Sequence, residues 1–283
     1  MNYRHAFHAG NFADVLKHAV LCRVLAHLLA KESPFRAIET HAGAGAYDLA
    51  GEAASRTQEW RQGIGRLIER PLAGKAGRLL EPYLALVRAT SGPGTAHVYP
   101  GSPLIARAFC REGDRMIFCE RHPEEYAALN RNFKGDPRAK TVEIDGWTAL
   151  KAHLPPKERR GFVLVDPPFE EPHEFERLRD GLVEGHQRWK SGIFLLWYPI
   201  KNEHEVSLFE RRIAKLEIPK ILRIEFAIDK PQAEGPLAAC GMMIVNPPWT
   251  LETELKLILP ALAERLGRDG AGRYRLDWLA PTA

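Results

Sequence analysis

The feature that most constrains this chain is an alternation. Seven short runs rich in β-branched and other apolar side chains are separated by stretches with helical spacing. The runs are Phe35–Thr40, Met116–Glu120, Thr141–Asp145, Phe162–Asp166, Ile193–Tyr198, Lys220–Ile228 and Gly241–Val245. Most are unbroken rather than alternating polar and apolar, as strands buried on both faces must be. Strands interleaved with helices predict an α/β fold, with a mostly parallel sheet sandwiched between helical layers. Four runs end in polar or acidic residues at a turn: Thr40-His41-Ala42-Gly43, Glu120-Arg121-His122, Asp145-Gly146 and Asp166-Pro167-Pro168. Open α/β sheets bind ligands beyond the carboxyl ends of their strands, so functional groups are expected at these four ends.

Two segments fall outside the rhythm. Residues 1–31 read as an extended tail followed by a helix capped at Asn11, with Ala13, Leu16, Val20, Val24 and Leu28 at helical spacing. The stretch from Asp48 to His97 reads as two or three helices inserted between the first and second strands. The expected organisation is therefore residues 1–47 (tail, helix and first strand of the core), 48–97 (a small helical insertion subdomain) and 98–283 (the rest of the core). Four cysteines in 283 residues form no CxxC pair, which suits a reducing compartment. No apolar run approaches the roughly 20 residues that span a bilayer, and the first residues contain no apolar signal segment. A cytoplasmic protein without a membrane partner is expected, and a monomer. Forty Lys plus Arg against thirty-six Asp plus Glu leave a net charge of +4, which permits an acidic partner without requiring one.

The sharpest motif is Asp166-Pro167-Pro168-Phe169 after the strand GFVLV. It resembles the tetrapeptide of S-adenosylmethionine-dependent methyltransferases that act on amino groups conjugated to a planar system. An exocyclic adenine amine is a poor nucleophile because its lone pair is delocalised into the ring. A carboxylate and a proline-constrained carbonyl can accept both of its N–H bonds, and an aromatic ring can stack on the extruded base. A second match, Asn246-Pro247-Pro248-Trp249, also follows an apolar strand. In the Rossmann-like seven-strand methyltransferase sheet the fourth strand lies beside the first, at the switch point. DPPF ends the fourth run, whereas NPPW ends the last, a strand expected to run antiparallel, so NPPW reads as structural. THAGAG after the first strand is a glycine-containing loop suited to close approach of a ligand. In this fold Glu120 would hold ribose hydroxyls and Asp145 the cofactor's adenine.

His5, His8, His18, His27 and His41 show no ligand spacing, so no metal is expected. Basic runs at residues 1–31 and at Lys151–Arg160, just before the DPPF strand, are candidate phosphate contacts.

The opening YRHAFHAGNFADVLKH, the loop THAGAG, YPGSPLIAR, DPPF and GMMIVNPPW together resemble, nearly end to end, the RlmJ family of bacterial 23S ribosomal RNA adenine-N6 methyltransferases. The resemblance implies a Rossmann-like methyltransferase core with a helical subdomain inserted after the first strand, and S-adenosylmethionine as cofactor. It implies that His18, His41, Ser102, Glu120, Asp145, Gly146 and Asp166 contact that cofactor and that Asp166, with Pro167 and Phe169, is catalytic. The tail residue Tyr3 would meet the RNA, with Arg4 and His5 beside it. The family also carries Tyr where Phe169 stands, a change that keeps the stacking face. The partner is 23S rRNA, free or early in ribosome assembly. The rival readings are a DNA adenine methyltransferase, a glutamine methyltransferase with a similar tetrapeptide, and a nucleic-acid-binding protein without catalysis. The short insertion argues against a DNA target-recognition domain, and the intact set of strand-end motifs argues against a non-catalytic protein.

Overall fold

A computed structural model describes residues 4–91 and 98–280. The strands are β1 (Arg36–Glu39), β2 (Ala46–Asp48), β3 (Val98–Pro100), β4 (Arg115–Glu120), β5 (Ala139–Glu143), β6 (Gly161–Val165), β7 (Ile193–Pro199), β8 (Ile221–Ala227), β9 (Ala239–Val245) and β10 (Arg273–Ala280). The helices are α1 (Phe12–Leu29), α2 (Glu52–Thr57), α3 (Glu59–Gln62), α4 (Ile64–Glu69), α5 (Gly74–Ser91), α6 (Ser102–Phe109), α7 (Pro123–Phe133), α8 (Gly146–His153), α9 (Glu174–Arg188), α10 (Glu203–Ala214) and α11 (Leu251–Leu266).

Eight strands form the main sheet in the order β10-β8-β9-β7-β6-β1-β4-β5. β1 pairs in parallel with β4 on one side and β6 on the other, so the chain reverses its winding direction there. This is the switch point, and the strand carrying DPPF lies at it, as the strand count required. β9 runs antiparallel to both β7 and β8, so NPPW leaves the sheet at the end away from DPPF. The Asn246 side chain there donates to the carbonyls of Lys190 (2.8 Å) and Gly192 (2.9 Å), a turn-fixing role. The unbroken apolar runs have the expected cause: successive strand residues feed two separate buried clusters. Ala37 belongs to the cluster on one face and Ile38 to that on the other, as do Phe162 and Val163.

Four strands depart from the sequence reading. β10 adds an eighth strand to the expected seven. Its pattern Arg273-Tyr274-Arg275-Leu276-Asp277-Trp278 alternates, as a one-sided edge strand does, and charge guards that edge. Buried Arg223 of β8 forks onto Asp277 (2.9 and 2.8 Å) and pairs with Glu210 (2.5 Å). β2 and β3, three residues each, pair antiparallel on either side of the insertion. β5 also ends two residues earlier than its run suggests, at Glu143, because Asp145 caps the following helix.

Among the described residues the insertion forms four helices rather than two or three, interrupted at Gln58 (φ 53°) and Gly63. Its Ile64, Leu67, Leu80, Tyr83 and Val87 join the same buried cluster as Leu16, Val20 and Val24 of α1. The tail is not extended throughout, since His5–Phe7 make a 3-10 turn. Asn11 caps α1 as expected, its side chain accepting from the amides of Ala13 (3.0 Å) and Asp14 (3.1 Å). Fourteen of the eighteen α1 residues are buried, so the helix is enclosed all round and takes Asp14, Lys17 and His18 into the interior. The basic run Lys151–Arg160 precedes β6 and so lies at the sheet end opposite Asp166, a strand of roughly 16 Å away. There Arg36 pairs with Glu158 (2.8 Å), and Arg160 donates to the Leu28 carbonyl (2.9 Å), which is structural work at the foot of the sheet. Among the described residues no helix is long and apolar enough to cross a membrane.

Candidate active site

A cavity of about 520 Å³ opens at the carboxyl ends of β1, β4 and β6, walled by α1, the start of α6 and the amino-terminal segment. His5, His18, His41, Ser102, Glu120, Asp166, Pro167 and Phe169 all line it. Asp145 and Gly146 do not line it but stand behind His41. Asp145 caps α8, accepting from the amide of Thr148 (3.0 Å). A Cβ on Gly146 would lie 2.5 Å from the His41 ring, so glycine there lets His41 pack. Arg4 points elsewhere, pairing with Glu124 (3.2 Å), and Tyr3 falls outside the described residues.

Asp166 directly follows β6 and receives a bond from the Lys17 ammonium at Oδ2 (2.5 Å). The same ammonium contacts Asp14 Oδ1 (2.9 Å), and Asp14 Oδ2 accepts from His5 Nε2 (2.9 Å) and the Gly10 amide (2.8 Å). Burial alone would raise the Asp14 carboxyl, but His5 and Lys17 outweigh it and hold it well below the usual range. Burial would likewise lower the Lys17 ammonium, yet Asp14 and Asp166 hold it above the ordinary lysine value. The result is a buried charge relay, His5–Asp14–Lys17–Asp166, with the Asp166 carboxylate facing the cavity. Phe169 holds a left-handed backbone (φ 52°), a costly conformation for an aromatic residue and one that clusters at functional sites. Its ring meets Phe175 (4.9 Å) and Trp197 of β7 (6.1 Å) edge-on, which fixes an aromatic face beside Asp166.

The opposite end of the cavity is built for a polar ligand. Glu120 accepts from the amides of Gly43 (2.8 Å) and His122 (2.7 Å), which fixes its carboxylate at the mouth of the THAGAG loop. Burial raises its pKa, and these amides oppose the rise. Burial pushes His41 down to about 4 and His18 down to about 3, so both rings are neutral at physiological pH. His18 Nδ1 is bonded to the Tyr99 hydroxyl (2.6 Å), itself bonded to Tyr83 (2.8 Å), while its buried Nε2 has no hydrogen-bond partner among the described residues. An orphaned nitrogen, a fixed carboxylate and the Ser102 hydroxyl fit the donor-rich ribose and amino-acid portions of S-adenosylmethionine. Among the described residues no cluster of three or more His, Cys, Asp or Glu is placed to hold a metal ion.

Four contributors were not evident from sequence: Asp14, Lys17, Glu39 and Trp197. Glu39 is fully buried at the end of β1, accepts from Ser102 Oγ (2.6 Å), and is pushed by burial up to about 8. The Ser102 bond and Lys17 lower it, and Asp166 raises it. An acid with a raised folded pKa lends stability that is complete below its unfolded pKa and is lost as pH rises through the folded value. Glu39→Gln is therefore expected to gain thermal stability over the wild type progressively between about pH 4.5 and 8. Melting curves whose difference is flat across that interval would refute a neutral Glu39.

Comparison with known proteins agrees with this architecture. The family model described as ribosomal RNA large subunit methyltransferase D, RlmJ, matches residues 32–280. The chain is 40% identical over 281 residues to ribosomal RNA large subunit methyltransferase J of Escherichia coli K12, covering 99% of both chains. It is 39% identical to the protein of the same name from Haemophilus influenzae, again over 99% of each. A crystal structure of a Legionella pneumophila protein superposes with a TM-score of 0.87 at 33% identity, covering 96% of this chain and 98% of that one. On the strength of a model spanning most of the chain and two relatives aligned end to end, the protein belongs to the RlmJ family of ribosomal RNA large subunit methyltransferases.

Proposed function

We propose that this protein transfers a methyl group from S-adenosylmethionine to N6 of a specific adenine in 23S ribosomal RNA, acting as a cytoplasmic monomer on RNA free of or early in ribosome assembly. The observation that carries the reading is the position of Asp166, at the switch point of the sheet, in the same cavity as Glu120, Ser102 and the orphaned His18 nitrogen. When bound, the cofactor supplies a methyl group on a positively charged sulfur. Glu120 would accept from its ribose hydroxyls, with Ser102, His18 and His41 completing the binding wall; Asp145 and Gly146 would act by shaping the His41 wall.

At the other end Lys17 occupies Asp166 Oδ2, and Oδ1 has no hydrogen-bond partner among the described residues. Oδ1 would accept one N6–H and the Pro167 carbonyl the other, while Phe169 stacks on the extruded base. These acceptors gain strength as the nitrogen becomes positively charged in the transition state, which is the differential stabilisation that raises a rate. The N6 proton then leaves through the carboxylate to water. Incubating the purified protein with S-adenosylmethionine and 23S rRNA, followed by mass mapping of digests, should place one N6-methyladenine. Methylation of duplex DNA in preference to RNA would overturn the substrate assignment.

The cofactor end has its own test. Loss of charge-assisted ribose bonds in Glu120→Ala should weaken S-adenosylmethionine binding by about 1–3 kcal/mol in calorimetry. Wild-type affinity would remove Glu120 from the cofactor site.

A further inference from the structure

The inserted helices meet the amino-terminal segment along one seam. Glu59, the first residue of α3, accepts from His8 Nδ1 through both carboxylate oxygens (3.1 and 3.0 Å) and from Asn11 Nδ2 (3.0 Å). Beside it Thr57 Oγ1 donates to the Phe7 carbonyl, and the Ile64 amide donates to the Gly10 carbonyl (2.8 Å). The fit is close. Gly10 turns with φ +76°, and a Cβ on Gly63 would come within 2.2 Å of the Gly10 oxygen. The segment so held is part of the cavity: His5, His8, Asn11 and Glu59 all line it, and His5 connects through Asp14 and Lys17 to Asp166. On its other flank the segment is tied to α1 through His5 and Asp14.

We propose that Glu59 is a positioning residue for methyl transfer, clamping His8 and Asn11 so that the amino-terminal segment forms a fixed wall on the base side of the cavity. The proposal rests on the methyltransferase reading above and gives the insertion a task in it. A carboxylate suits the task because one group bridges an imidazole on the segment and the amide cap of α1, coupling the two across the Gly10 bend. Among the described residues three charged groups act on His8: Glu59 from α3, Asp14 from α1, and Lys201 after β7. The bond to Glu59 raises its pKa against the effect of burial, with Asp14 adding to the rise and Lys201 opposing it. A raised histidine keeps its ionic bond at low pH and loses it as pH climbs through the folded value, so the clamp loosens on the alkaline side.

The test compares wild type, Glu59→Gln, His8→Ala and the double variant on a 23S rRNA fragment, with hydrogen exchange of the amides in residues 5–11 as a second readout. Misplacement of a cavity wall predicts that kcat on RNA falls roughly tenfold or more in each single variant. S-adenosylmethionine affinity should hold, and amide exchange in residues 5–11 should quicken. Because the two side chains act through each other, the double variant should be no slower than the worse single one. The alkaline limb of the kcat profile should move to lower pH in Glu59→Gln. Unchanged kcat with unchanged exchange in folded Glu59→Gln, or additive losses in the double variant, overturns the clamp. A wild type that methylates no RNA defeats the underlying reading instead, and the exchange measurement still judges whether Glu59 fixes the segment.

Discussion

Replacing Asp166 with alanine is expected to reduce methyl transfer by roughly 10²–10³-fold or more, since preorganised groups aimed at developing charge carry losses of that order when removed. The side chain sits 18% exposed at the cavity wall, with one oxygen committed to Lys17 and the other, on the proposed reading, the acceptor for N6. Cofactor affinity should change little, because the Glu120 end of the cavity is built from other strands. Asp166→Asn sharpens the test: it keeps the shape and an acceptor but puts an N–H or a neutral oxygen against the Lys17 ammonium, and turnover should remain low. Asn246→Ala is the counterpart at the second tetrapeptide. Losing bonds to the Lys190 and Gly192 carbonyls at a left-handed residue should cost about 1–2 kcal/mol of stability, while the rate per folded molecule stays normal. Full activity in Asp166→Ala, or a catalytic collapse in folded Asn246→Ala, would reverse the assignment of the two motifs.

What could be read from sequence and what could not divide along a physical line. Strands buried on both faces announce themselves as short apolar runs, and acids at their ends announce a ligand edge. That suffices to put Asp166 beside β1 on sequence alone. Edge strand β10 was missed because three of its eight residues are charged and break the apolar run, although its two-residue alternation was present from Arg273 onward. Lys17 and Asp14 were missed for a different reason. A helix is usually read as one apolar stripe facing the core, with its charges in water. α1 is enclosed on all sides, and the relay hidden in it has no signature until the helix is packed against β6. Nearness in the chain misled in the other direction: the cations at Lys151–Arg160 abut the DPPF strand in sequence but lie a full strand length from its functional end.

That buried relay sets the second large expectation. Lys17 is 4% exposed and stands between two carboxylates, so Lys17→Met strips Asp166 of its cation and leaves Asp14 held by His5 and the Gly10 amide alone. Breaking a buried ion pair from one side costs about 3–5 kcal/mol, and a comparable loss of thermal stability is expected near neutral pH. The pH dependence follows from the two shifted groups. Asp14, depressed in the fold, contributes stability present above its unfolded pKa near 3.9 and lost as pH falls through the folded value. Lys17, raised in the fold, contributes stability present below its unfolded pKa near 10.4 and lost as pH rises through the folded value. The gap between wild type and Lys17→Met should thus be widest between about pH 5 and 10 and should narrow as pH falls below about 3.9 and through the depressed folded value of Asp14. Turnover should fall as well, because Asp166 loses the partner that fixes its orientation. A second substitution separates the two effects. Adding Asp166→Asn to Lys17→Met removes one of the stranded charges, so melting temperature should recover in part while methyl transfer stays lost. If instead Lys17→Met melts with the wild type at pH 7, or the gap persists unchanged into acid, the ammonium is not the keystone of this site and Asp166 must be oriented by its own turn.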